Sequence, residues 1–124
     1  MGRAVLSVLA GFATWTVLWL TQNAILGSVF SEHFDEAGFT TASHVLAIVL
    51  ILSVVDSIVA GWVTGVVAKE KEVARTVALG IVQLAVGLGV QTSVWEQMPL
   101  WYHLSFLALL LPGNVVGGLW AARR

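Results

Sequence analysis

From His44 to Ala68 every residue except Asp56 is uncharged, and this stretch constrains the chain more than any other. A helix needs about 20 apolar residues to cross a hydrocarbon core of about 30 Å, so the run reads as a membrane span. Asp56 lies almost equally far from His44 and Lys69, which puts a carboxyl group at the bilayer midplane. Insertion scales charge about 2.5–3.5 kcal/mol for an aspartate there, and other groups of the protein must offset that cost.

The rest of the chain has the same character. Of its 124 residues 58% are hydrophobic and 10% charged, against about 25% charged in a soluble domain, and the mean hydropathy is +0.90. One integral membrane domain spanning residues 1–124 is expected. A net charge of -1 and the absence of a continuous basic patch argue against a nucleic-acid partner. With no cysteine, disulfides, thiolate metal sites and thiol nucleophiles are excluded. Arg3 precedes an apolar run, as in a secretory signal. That run continues to about Phe30, well beyond an h-region of roughly 7–15 residues, and no Ala-x-Ala site follows, so a retained helix is expected. Leu6 stands where a myristoylation signal needs serine or threonine.

Four helices are predicted, at about 4–30, 43–68, 73–95 and 99–122. On the first, Ser7, Gly11, Thr14, Thr21 and Gln22 share one side; on the third, Thr76, Gly80, Gln83, Gly87 and Gln91 do so. These sides should face protein. The first connection, Ser31 to Thr41, is polar and acidic, with Gly38 permitting a turn. The second is the charged turn from Lys69 to Arg75. The third ends at Pro99, suited to open the last helix, which carries Pro112 near its middle.

With four spans, Arg3, Lys69, Lys71, Arg75, Arg123 and Arg124 all fall on one side, which the positive-inside rule places in the cytoplasm together with both termini. So one-sided a bias argues against insertion in both directions. Trp95, Trp101 and Tyr102 are expected at the outer boundary and Trp120 near the inner one. No convincing internal repeat is visible.

Counted from the charged ends, Thr14, Asp56, Gln83 and the turn from Pro112 to Asn114 reach similar depth, one group from each helix. The four polar faces should therefore converge on the bundle axis, with Ser53 and Ser57 beside Asp56. Pro112 cannot donate to the carbonyl of Ala108, and a protonated Asp56 has that acceptor or Gln83 to choose from. Two readings stand. Asp56 exchanges a proton or holds a cation in a transport cycle, since low dielectric disfavours the charged carboxylate; or it is a neutral tie between helices, contributing about 0.6 kcal/mol per contact. The tie is the more economical, because known relays offer a chain of ionisable groups.

Gly61 with Gly65 and Gly113 with Gly117 match the small-xxx-small pattern, and Ala85 with Gly89 repeats it weakly. Such faces imply close helix contact, within one chain or between copies. In the outer loop Glu32, His33, Asp35 and Glu36 stand together, read as a solvated acidic loop in preference to a metal site. His44 and His103 begin helices of the same direction. Facing each other they could hold haem axially, or one could bond a quinone carbonyl; more often such histidines anchor helix ends. No serine, histidine and acid arrangement, phosphate-binding glycine loop or carboxylate pair is visible, so no enzyme is expected.

Gly61-Trp62, the turn from Lys69 to Arg75, Pro99-Leu-Trp-Tyr-His103, Pro112 and Gly117-Gly118 together resemble a widespread group of small bacterial four-helix inner-membrane proteins of unassigned activity. The resemblance covers about half the chain. It implies an inner-membrane location and carries no activity or site residue with it. The expectation is an all-α bundle of four transmembrane helices, most simply a non-enzymatic accessory or scaffold subunit without cofactor, packed against itself or a larger membrane partner. The alternatives are a small proton-coupled transporter using Asp56, with Gln83, Thr14 and Asn114 lining its path, and a haem or quinone protein using His44 and His103.

Overall fold

The computed structural model describes residues 2–36 and 39–123; Gly38, expected at the loop turn, and Arg124, one of the six cations, lie outside the described residues. Four helices form: α1 (Gly2–Val29), α2 (Ser43–Ala68), α3 (Glu72–Ser93) and α4 (Leu100–Ala122). All four are long and apolar enough to cross a membrane. At 26 residues, α2 is about 39 Å long at 1.5 Å per residue, enough to span with some tilt. The ends differ from expectation by a turn or less, and single 3₁₀ turns at Ser31–His33 and Trp95–Gln97 occupy the two loops at one end of the bundle.

At the other end α2 and α3 are joined by only three residues. Lys69 closes α2 in the left-handed conformation, φ 67°, and its N–H reaches the Gly65 carbonyl at 3.1 Å; Lys71, φ 53°, is left-handed too. Two lysines thus adopt the backbone usually given to glycine. Arg3 Nη1 donates to the Val67 carbonyl at 3.0 Å, which brings the start of α1 to this same end.

The helices are arranged in the order α1, α2, α4, α3 around the bundle. α2 packs most extensively on α4 and next on α1, α3 packs mainly on α4, and of the four neighbouring pairs α1 and α3 touch least. Large apolar side chains face outward on every helix, among them Leu9, Val17, Ile51, Ile81, Leu104 and Leu119, while Ser7, Thr64, Thr76, Gln83 and Asn114 are buried. An exterior this apolar is suited to lipid.

Glycine sets the α2–α4 distance. A Cβ on Gly61 would stand 2.1 Å from the Asn114 carbonyl oxygen, and one on Gly117 2.0 Å from that of Ile58. Gly113 meets the Ser57 Cβ and Gly65 the Ala121 Cβ. Both small-residue motifs of the sequence are therefore spent on each other inside one chain. On the far side of α2, Gly11 of α1 lies against Thr64 and Ala60, and the Thr64 hydroxyl donates to the Ser7 carbonyl at 2.9 Å. Overpacking of this kind costs about 1–3 kcal/mol. Gly61→Ala should therefore lower the unfolding free energy in detergent by that much, and the midpoint with it, whereas Gly27→Ala, where a Cβ meets nothing within 4 Å, should leave both unchanged or raise them slightly. Equal midpoints for the two variants would contradict the α2–α4 contact.

Candidate functional site

Two polar regions lie inside the bundle. The first surrounds Asp56, which is 4% exposed near the centre of α2. Asn114 of α4 and Gln83 of α3, both fully buried, are joined across the bundle: Asn114 Nδ2 donates to Gln83 Oε1 at 2.5 Å and also to its own helix at the Leu110 carbonyl, 2.9 Å. Ser53 and Ser57 are buried on the face of α2 that carries Asp56, and the Ser53 hydroxyl donates back to the Val49 carbonyl at 2.8 Å. So α2, α3 and α4 each place their expected group inside.

The contribution of α1 is different. Thr14 is only half-buried and spends its hydroxyl on the Ala10 carbonyl at 2.8 Å. The side chain that approaches Asp56 as a hydrogen-bonding neighbour is Gln22, although neither Gln22 Nε2 nor Asp56 Oδ2 closes a directed bond. Gln22 was legible as part of the polar face of α1. Its role was not, because it starts about two turns nearer the helix end than Thr14 and reaches by side-chain length. Pro112 is a correction. It is exposed, as is Ala108, so the carbonyl freed by the missing N–H faces away from Asp56. Two residues along a helix is a rotation of about 200°, so with Asn114 inside, Pro112 has to point out.

Four buried polar atoms around this layer have no partner among the described residues: Asp56 Oδ2, Gln22 Nε2, Gln83 Nε2 and Asn114 Oδ1. Each such atom costs about 1–3 kcal/mol when left unpaired.

The second region lies toward the end with the 3₁₀ turns. His103 is fully buried and stacked on Trp95, with ring centroids 4.4 Å apart and planes 10° from parallel. Its Nε2 donates to the Trp95 carbonyl at 2.9 Å, and its Nδ1 bonds the side-chain amide of Gln91. His44 is exposed and sits edge-on to His33 at 4.7 Å, near Phe30. The two histidines have separate neighbours, and the structure does not bring them together as a ligand pair. Tyr102 is a further correction to the boundary belt: it is 3% exposed and packs on Phe106, while its neighbour Trp101 faces out. In the loop between α1 and α2, His33 Nε2 lies 3.5 Å from Glu32 Oε1, and Asp35 Oδ1 accepts from the Phe39 N–H at 2.9 Å, which closes the loop on itself.

The gap between α1 and α3 holds two cavities. One, of about 180 Å³, runs between Phe12, Trp15 and Trp19 of α1 and Val86, Gly87 and Val90 of α3. The other, of about 310 Å³, lies beneath Phe34, Phe39 and Met98 and is lined by Asn23, Gln91 and Tyr102. They share Trp19, Val90 and Gln91. Asp56 lines neither. The sequence places Gly87 and Gln91 on one face of α3, but it carries no sign that α1 and α3 stand apart there. Comparison with protein-family models, with curated proteins and with solved structures finds no match to this chain.

Proposed function

We propose that this multi-pass membrane protein is a non-enzymatic accessory or scaffold subunit that packs against a larger membrane protein or a second copy. The observation that carries the reading is the outward face of α3. Ala74, Ala78, Ala85 and Gly89 are all exposed along it, and a Cβ on Gly89 would meet nothing within 4 Å. The other small-residue motifs are consumed between α2 and α4, and this one has no partner among the described residues. Small side chains let a second helix approach closely and gain dispersion contacts that lipid tails would otherwise supply. The location that fits is a bacterial inner membrane with both termini in the cytoplasm, supported by the lysines and arginines gathered at one end.

Gly89→Leu should abolish or weaken at least tenfold the association seen in mild detergent, by co-purification or by size, while the helical content and unfolding midpoint stay those of the wild type. Unchanged association would contradict the role of this face.

One observation favours a second reading, that of a small proton-coupled transporter: four buried polar atoms from α1, α2, α3 and α4 are unpaired around Asp56. Of these, the Asp56 and Asn114 oxygens can accept a transient proton, cation or water, and the two amide nitrogens can donate to a water. In liposomes with an imposed pH gradient, this reading expects a flux that Asp56→Asn abolishes without unfolding the protein. Absence of flux in the wild type, or equal flux in both forms, contradicts it and leaves Asp56 as a tie.

A further inference from the structure

The geometry points to a binding site between α1 and α3 for a neutral, single-tailed amphiphile whose planar head carries a carbonyl, the chemistry of an isoprenoid quinone. The two cavities adjoin, since Trp19, Val90 and Gln91 belong to the walls of both. The inner one is the tail site. Its walls are almost wholly apolar, and because Leu20, Val86 and Val90 are exposed on its rim, it opens sideways to the membrane. A chain can enter there without crossing water.

The outer cavity is the head site. Its volume of about 310 Å³ falls at the small end of the usual range for ligand pockets, about 300–1,000 Å³. No charged side chain lines it, so a phosphate or ammonium head would be stranded, and a neutral one is not. Two polar side chains in its wall are more than nine-tenths buried yet keep a group unpaired. Tyr102 is 3% exposed, and its hydroxyl bonds none of the described residues. Gln91 is 2% exposed; one end of its amide is held by His103, and the other bonds none of the described residues. The Tyr102 hydroxyl opens on this cavity as a donor without a partner among the described residues, and a carbonyl oxygen presented to it completes a hydrogen bond in apolar surroundings. Trp19 and Phe34 add ring faces suited to a flat head.

His103 is a positioning residue in this arrangement. Its ring is fixed by the Trp95 stack and by Nε2 at the Trp95 carbonyl, and Nδ1 lies against Gln91 Oε1, which leaves the Gln91 amide nitrogen as the end without a partner among the described residues. Asp56 and His44 take no part in it.

The test uses the full chain in phosphatidylcholine nanodiscs, with decylubiquinone as probe and quinone retained per disc measured against empty discs. Saturable retention near one quinone per chain is expected. Val90→Phe, a change at a lipid-facing position in the mouth, should reduce affinity at least tenfold. Tyr102→Phe, which keeps the ring and removes only the hydroxyl, should weaken it about three- to tenfold and leave the affinity for a decyl chain without a carbonyl unchanged. Non-saturable partition equal to that of empty discs would overturn the proposal. So would equal retention by wild type and both variants, or saturable binding of the carbonyl-free chain as tight as that of the quinone, since the cavity would then host acyl chains of the bilayer without selecting a head.

Discussion

Hydrocarbon offers polar groups no partners, and that constraint organises the molecule. A chain that carries Asp56, Gln83 and Asn114 near the centres of its spans has to turn them toward one another, and α2 is surrounded by α1 and α4 because its carboxyl group cannot face lipid. The Asn114 to Gln83 hydrogen bond couples α4 to α3, Thr64 bonds the backbone of α1 at Ser7, and Gln22 approaches Asp56 from α1. Apolar packing alone would not select this arrangement, because a leucine is as well solvated by lipid as by another helix.

Within that constraint, glycine determines which pair of helices forms the rigid centre. The contacts at Gly61, Gly65, Gly113 and Gly117 bring α2 and α4 into backbone contact. The ring is correspondingly loose where α1 faces α3, a seam walled by aromatic side chains of α1 such as Phe12, Trp15 and Trp19. A tight seam on one side and an open one on the other give the bundle both a frame and a lateral entrance. The outward small-residue face of α3 borders that entrance.

Much of this was legible in the residues. Four spans follow from runs of apolar residues interrupted by Lys69 to Arg75 and by two acidic loops. The inward turn of Gln83, Asn114 and Asp56 follows from the cost of exposing them. What was not legible depends on rotation and reach. Pro112 lies two positions from Asn114 and therefore faces the opposite way. Tyr102 differs from Trp101 by about 100° of helix, enough to bury one ring and expose the other. Thr14 satisfied itself within α1, as a β-hydroxyl can by bonding the carbonyl four residues back, and the longer Gln22 took its place. Nor did the sequence signal the backbone of the turn after α2, where Lys69 and Lys71 adopt positive φ in place of glycine. The looser packing of α1 on α3 is a property of the assembled ring, which no single helix encodes.

The central claim is that the polar face of α2 is buried against α4 of the same chain. Because the chain has no cysteine, a disulfide reports on that contact without background. A Cβ on Gly113 lies 2.7 Å from the Ser57 Cβ, within about an ångström of what a disulfide needs. In the double variant Ser57→Cys with Gly113→Cys, mild oxidation in membranes should give an intramolecular crosslink in nearly every molecule, seen as a loss of two hydrogens and faster migration. If the pair stayed reduced, or crosslinked only between copies, while Val55→Cys paired with Gly113→Cys instead, Asp56 would face away from the bundle and the account would be wrong.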